Sequence, residues 1–215
     1  MRVVVAGGHG KIALHLERLL ATRGDLITAL VRNPDHFADV RDAGAVPVHC
    51  DLESVEAGAL AEYMTSADAA VFAAGAGPGS GTARKDTVDR GAAALFAEAA
   101  QLAGVRRFVQ VGSMGVDRAD DPGVDEVFAA YLRAKRAAEE DLRERDLDWT
   151  ILRPGGLTDD APTGRVTLAA GVEGGTVPRA DVAAVLVALL DAAGTIGRTL
   201  ELTSGDTPIE EAVRL

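Results

Sequence analysis

Val3-Val4-Val5-Ala6-Gly7-Gly8-His9-Gly10-Lys11-Ile12-Ala13 is the stretch that decides how this chain is read. Its first four residues form a short apolar run. Beyond the glycines, Leu14, Leu16, Leu19 and Leu20 recur at helical spacing. That order predicts a buried strand over 2–6, a glycine turn, and a helix over 11–23. Such a turn, between a parallel strand and a helix N-terminus, is a seat for a pyrophosphate. Backbone N–H groups point outward, the helix dipole favours an anion, and the missing Cβ atoms let phosphate approach the main chain. The spacing is G-x-x-G-x-x-A rather than G-x-G-x-x-G, so the flanking strand and helix carry as much weight as the glycines.

Working outward, strands are predicted at 25–31, 45–49, 68–73, 105–112, 148–153 and 198–203. Helices are predicted at 35–43, 54–64, 84–103, 125–145 and 179–192, with a short one at 207–213. This alternation implies right-handed βαβ crossovers, hence an α/β, three-layer, doubly wound fold on a mostly parallel sheet. Gly24, Gly44 and Gly104 fall just past helices, where a left-handed residue is wanted. Asp181 and Thr207 are candidate first-turn or capping residues. Residues 1–215 read as one domain, without a linker. Within it, the glycine- and proline-rich stretch 154–178 is a small excursion with a short strand near Arg165–Leu168. The irregular segments 74–83, 113–124 and 154–178 each follow a strand C-terminus. There they are expected to line one crevice, as ligands in open α/β sheets bind outside those ends. The alternative is that some are plain surface connections.

Composition excludes several classes. A length of 215 residues suits one well-buried α/β unit. The formal net charge of −11 argues against nucleic acid and anionic membrane, both of which reward Lys and Arg. Cys50 is the only cysteine, so no intrachain disulfide can form, which fits a reducing cytoplasm. No basic-then-apolar leader is recognised, and Val182–Leu190 is too short for a membrane span. A monomer or a homodimer is expected, the long alanine-rich helices 84–103 and 125–145 being the candidates for pairing. Only Lys11, Lys85 and Lys135 are lysines; the other basic residues are arginines.

The second strand ends in Leu30-Val31-Arg32-Asn33-Pro34-Asp35. A carboxylate at that strand end would bind both ribose hydroxyls of NAD; here Arg32 stands there and could pair with a 2′-phosphate, which favours NADP(H) over NAD(H). The alternative is a surface arginine without a ligand. Asp51-Leu52, after the third strand, resembles a pair that brackets an adenine. Asp51 could equally open the turn into the next helix.

Tyr131 and Lys135 stand four apart on a predicted helix and so share a face. An ammonium beside a phenol stabilises phenolate, and the phenol can then give a proton to a carbonyl oxygen as hydride arrives. The alternative is a core Tyr131 in a Phe128–Tyr131–Leu132–Leu142 stripe, with Lys135 solvated. Ser113, at the end of the fifth strand, could orient a substrate carbonyl or serve as a turn residue. A hydrolase is disfavoured, because Val111 occupies the first glycine position of G-x-S-x-G and all four histidines precede Ser113. No metal site is expected: His49-Cys50-Asp51 are adjacent, and side chains alternate along a strand.

Gly7-Gly8-His9-Gly10-Lys11-Ile12, Arg32-Asn33-Pro34, Cys50-Asp51-Leu52, Ala73-Ala74-Gly75, Ser113, Tyr131 with Lys135, and Thr150-Ile151-Leu152-Arg153-Pro154-Gly155-Gly156-Leu157 occur in order. Together they resemble the atypical short-chain dehydrogenase/reductases of the NAD(P)H-binding, NAD-dependent epimerase/dehydratase-like type, relatives of flavin reductase (biliverdin reductase B). The likeness runs through Gly205-Asp206-Thr207-Pro208-Ile209. It implies a Rossmann sheet in the order 3-2-1-4-5-6-7 with NADP(H) across its carboxyl edge. It also implies Lys135 on the nicotinamide ribose and Pro154-Gly155-Gly156 beside the nicotinamide. The chain departs from the pattern at Ala13, which replaces the third glycine. Met114 is a second candidate for the usual catalytic serine position, which would leave Ser113 one residue off. The loop from Ser113 to Tyr131 must also fold back to bring the two together.

The leading expectation is an NADPH-dependent oxidoreductase acting on a small carbonyl, quinone or flavin acceptor, with Tyr131, Lys135 and Ser113 as its catalytic group. The alternative is a non-enzymatic NADP-binding sensor. A sugar epimerase or dehydratase ranks below both, because the 154–178 excursion is too small to enclose a second nucleotide.

Overall fold

The computed structural model describes residues 1–77 and 81–215. Strand β1 (Arg2–Ala6) is followed by α1 (Lys11–Arg23), β2 (Leu26–Val31), α2 (Phe37–Asp42), β3 (Val46–His49), α3 (Ala57–Glu62) and β4 (Ala69–Phe72). A helical turn, α4 (Thr82–Arg84), leads into a π-helical segment (Lys85–Ala92) and then α5 (Ala93–Ala103). Next come β5 (Arg107–Val111), α6 (Glu126–Arg143), β6 (Asp148–Pro154), β7 (Gly156–Thr158), β8 (Arg165–Ala169) and β9 (Thr176–Pro178). The chain ends with α7 (Arg179–Asp191), β10 (Arg198–Ser204), β11 (Thr207–Pro208) and α8 (Ile209–Ala212).

The main sheet runs β3-β2-β1-β4-β5-β6-β10-β8-β11. All pairs from β3 through β10 are parallel, and β8 adds to β10 antiparallel. The expected doubly wound order is therefore present, extended at one edge by β8 and β11. Strands in such a sheet are buried on both faces. Val3 and Val5 accordingly pack with Leu16, Leu20, Leu186 and Leu189 of α1 and α7. Val4 and Ala6 pack with Phe72, Phe96, Phe108 and Leu142 on the opposite face, against α3, α5 and α6. Gly24, Gly44 and Gly104 all adopt positive φ just past their helices.

Two local expectations are corrected, and the expected first-turn place of Asp181 is met. The single helix over 84–103 is divided, because Lys85, Val88, Asp89 and Ala92 turn inward together through the π-helical segment. Thr207 caps nothing: it lies in β11, and Pro208 precedes α8. Asp181 is in the first turn of α7, but its carboxylate is spent on the 163–164 turn, accepting from Thr163 N and Gly164 N at 2.9 Å each. Pro78, Gly79 and Ser80 of the expected 74–83 loop lie outside the described residues.

Candidate functional site

Because β1, β4, β5 and β6 run parallel, their C-terminal residues Ala6, Phe72, Val111 and Pro154 lie along one sheet edge. The glycine turn, the Ala73–Gly75 segment, Ser113 and the Gly155–Leu157 segment all emerge there.

The turn is close-packed backbone. Gly7 has φ +79°, and a Cβ on it would lie 2.6 Å from Ala74 Cα. A Cβ on Gly8 would meet Ala29 Cβ at 2.6 Å. Gly10 is the N-cap of α1 and gives it no side-chain hydrogen bond, and no acid stands in the first turn. The first free N–H groups of a thirteen-residue helix are thus left to an anion. A pyrophosphate fits this cradle, since glycines keep it open where larger residues would close it. Beneath it lies Glu17, fully buried, with neither carboxylate oxygen hydrogen-bonded. Burial pushes its carboxyl up to about 8, against a small opposing pull from Arg18.

A cleft of about 450 Å³ runs from this turn across the ends of β2 and β3. Of the residues predicted from sequence, Gly7, His9, Gly10, Arg32 and Asn33 line it, as do Asp51, Leu52, Ala73, Ala74 and Gly75. His9 stacks on His36 with ring centroids 3.6 Å apart, and its Nε2 lies 2.8 Å from Asp39 Oδ2. Arg32 Nη1 donates to Glu53 Oε2 at 3.2 Å. Asn33 caps the short 34–36 helix by accepting from Asp35 N. Asp51 forms a turn of its own, accepting from Glu53 N at 3.1 Å, so its turn-opening role is realised beside its place in the cleft wall. Cys50, also in that wall, is buried, which pushes its thiol up to about 11 with some help from Asp51.

At the ends of β4 and β5 the Lys135 ammonium is buried rather than solvated. It donates to Val111 O at 3.2 Å and Ala74 O at 3.5 Å, and it pairs with Asp89 Oδ1 at 3.3 Å. Asp89 Oδ2 accepts from Ala76 N, tying the π-helical segment to the loop after β4. The Tyr131 ring lies 5.9 Å from Lys135 Nζ and 5.2 Å from Lys85 Nζ, and it stacks with half-exposed Phe128. The Phe128–Leu142 stripe is therefore not a uniform core: Leu132 and Leu142 are buried, Phe128 is not.

Ser113 Oγ donates to Met114 O, and Met114 N donates to Pro154 O, so the turn after β5 is stitched to the end of β6. Val116 and Ala119 pack on Leu132 and Tyr131, folding the 113–124 loop back onto α6. Gly155 N donates to Leu202 O, and Gly156 and Leu157 pair with Thr176 and Val177 in a separate two-stranded sheet. Lys11 is exposed and pairs with Asp159, which also binds Arg179. The hydrogen bond from Lys11 and the nearby Arg179 hold the Asp159 carboxyl below the usual carboxylate range. Ile12 is half-buried and packs on the core.

Sequence reading missed Arg84, Lys85, Asp89 and Glu53. Lys85 and Asp89 stand four apart, the same signal that singled out Tyr131 and Lys135. Among the described residues there is no group of three or more metal-ligating side chains, and no helix is long and apolar enough to cross a membrane.

A family model described as NAD(P)H-binding matches residues 7–193. A protein of Bacillus subtilis, named an uncharacterised sugar epimerase, is 36% identical over 215 residues, covering 100% of this chain and 99% of that protein. A Bacillus halodurans structure, whose name proposes an NAD-dependent epimerase/dehydratase, superposes with a TM-score of 0.92 at 36% identity, covering 99% and 98% of the two chains. An anaerobilin reductase from Escherichia coli O157:H7 superposes with a TM-score of 0.78 at 26% identity, covering 96% and 98%.

Proposed function

This chain belongs to the NAD(P)H-binding family, and on that premise we propose that it is an NADPH-dependent reductase of a small carbonyl, quinone or flavin acceptor. Bound coenzyme supplies the hydride. The chain's own share is to bind, orient and protonate. The Gly7–Ala13 turn and the uncapped start of α1 receive the pyrophosphate, and Arg32 faces the adenosine ribose. Lys135, held by the Val111 carbonyl, Asp89 and, at 3.5 Å, the Ala74 carbonyl, exchanges that longest contact for the nicotinamide ribose when coenzyme binds. For a carbonyl or quinone acceptor, Tyr131 donates a proton to the acceptor oxygen and Ser113 aligns that oxygen; a flavin acceptor needs no proton from Tyr131. The Pro154–Leu157 segment flanks the nicotinamide.

The observation that carries this reading is the placement of Tyr131 against Lys135 at the same sheet edge as the glycine turn. The reductase name of the Escherichia coli structure supports it. The epimerase names fit less well, because the 156–178 region offers only β7, β8 and β9 to enclose a sugar nucleotide. One observation favours a second reading, a coenzyme-binding sensor: Lys135 is fully engaged by backbone carbonyls and Asp89.

NADPH oxidation followed by absorbance, over a panel of quinones, flavins and aldehydes, separates the two. Turnover of a carbonyl or quinone that falls about a hundredfold or more in Tyr131→Phe, with NADPH affinity retained, supports the reductase, the size being about that of one general acid. Binding without turnover on any acceptor supports the sensor.

A further inference from the structure

Two guanidinium groups meet on one carboxylate at the adenosine end of the cleft. Arg32 leaves the end of β2 and Arg84 ends the α4 turn on the opposite lip. Their Nη atoms donate to the same oxygen, Glu53 Oε2, at 3.2 and 2.8 Å. The other oxygen, Oε1, accepts from Thr87 Oγ1 at 2.7 Å. Glu53 lies between β3 and α3, so this cluster draws three otherwise separate segments together.

The charges do not balance. Two permanently charged guanidinium groups share one monoanion, and guanidinium forks are matched to dianionic phosphate. Arg84 Nε is moreover buried and has no hydrogen-bond partner. A buried donor left unmade is costly unless something else satisfies it. Arg32, Arg84 and Glu53 all line the cleft.

Resting on the coenzyme reading above, we infer that Arg84 is the second guanidinium of a 2′-phosphate site, and that Glu53 is a built-in competitor holding Arg32 and Arg84 in place for it. An adenosine 2′-phosphate takes Glu53's place on Arg32 and reaches the unused donor of Arg84. An unphosphorylated ribose leaves the Arg32–Glu53–Arg84 cluster intact. Discrimination between the two coenzymes therefore depends on a residue more than seventy positions from the glycine turn, and a carboxylate moderates it.

The test is isothermal titration of the full chain with NADPH, NADH and adenosine 2′-monophosphate, using the wild type, Arg84→Met, Arg84→Lys and Glu53→Gln. Removing a charge-assisted pair predicts a loss of roughly tenfold to a hundredfold in NADPH affinity for Arg84→Met. NADH affinity should change less than about threefold (under about 0.7 kcal/mol). Arg84→Lys should recover part of the loss. Glu53→Gln should raise the affinity for NADPH and adenosine 2′-monophosphate and leave NADH unchanged. Circular dichroism and melting curves identify a variant that has lost its fold, in which case Glu53→Gln decides. An unchanged NADPH-to-NADH ratio in Arg84→Met, or a fall in that ratio in Glu53→Gln, overturns the inference while the coenzyme reading stands. Failure of the wild type to bind either coenzyme overturns both.

Discussion

Lys135 on α6 and Asp89 in the π-helical segment form an ion pair, Nζ to Oδ1 at 3.3 Å, with side chains 5% and 0% exposed. It joins the two helical elements that flank the ends of β4 and β5, and it leaves the ammonium one step from Tyr131. Breaking such a pair from one side leaves a buried charge without its partner. Asp89→Ala and Lys135→Met should each cost about 3–5 kcal/mol in urea denaturation. The double variant should cost clearly less than the sum. Additive losses would show that the two groups do not interact.

Glu17 makes stability fall as pH rises. Its carboxyl is moved from 4.5 to about 8 by burial, so the folded state holds a proton that the unfolded chain releases. The contribution is fully present below about pH 4.5 and is lost as pH rises through 8, at up to about 1.4 kcal/mol per unit. Urea midpoints of the wild type should decline between pH 5 and pH 8, and Glu17→Gln should flatten that decline. Parallel curves for the two proteins would contradict it.

Gly7 and Gly24 both have positive φ, but their surroundings differ. A Cβ on Gly7 would strike the Ala74 backbone, whereas one on Gly24 meets nothing within 4 Å. Gly24→Ala should cost about 1 kcal/mol and leave coenzyme binding alone. Gly7→Ala should cost more, up to about 3 kcal/mol, and abolish binding, because the turn must shift off Ala74. Equal effects of the two changes on binding would be the contrary result.

Cys50 is buried and its thiol is raised to about 11, so little thiolate exists at neutral pH. Reaction with a disulfide reagent at pH 7.5 should be at least about a hundredfold slower in the native protein than in urea. It should quicken as pH approaches 11. Rapid native labelling would refute the buried placement.

The Lys11–Asp159 pair looks strong by distance, but its side chains are 66% and 58% exposed. Solvent screening should hold its worth below about 1 kcal/mol, so Lys11→Ala should scarcely move the melting temperature. A loss of several degrees would assign Lys11 a structural role.

Local sequence carried the strand–turn–helix opening, the β/α alternation of a mostly parallel sheet and the glycines with positive φ, because each depends on near neighbours and on the period of apolar residues, whereas the strand order from β3 to β10 is what the family resemblance implied. The strand at Arg165–Ala169 was legible, but its place in the sheet was not. Whether that strand joins the main sheet depends on pairing with Arg198–Ser204, some thirty residues on. Lys85 and Asp89 went unread for a similar reason: periodicity reports that a face is buried, not that an ammonium from α6 lies across it. The meeting of Arg32, Arg84 and Glu53 is a contact between three elements, and none of their own segments announces it. Ten predicted ligands fall in one cleft wall because strand C-termini converge by topology, whereas Lys11 is exposed and pairs with Asp159, a partner that only the folded 154–178 excursion supplies.

In the proposed function, the turn at Gly7–Gly10 holds the pyrophosphate of a nicotinamide dinucleotide. The decisive measurement is isothermal titration of the intact chain with NADPH and NADH. Saturable uptake of about one coenzyme per chain, lost in Gly7→Ala, is the predicted result for a single turn of this kind. No heat from either coenzyme with the folded wild-type protein would contradict it.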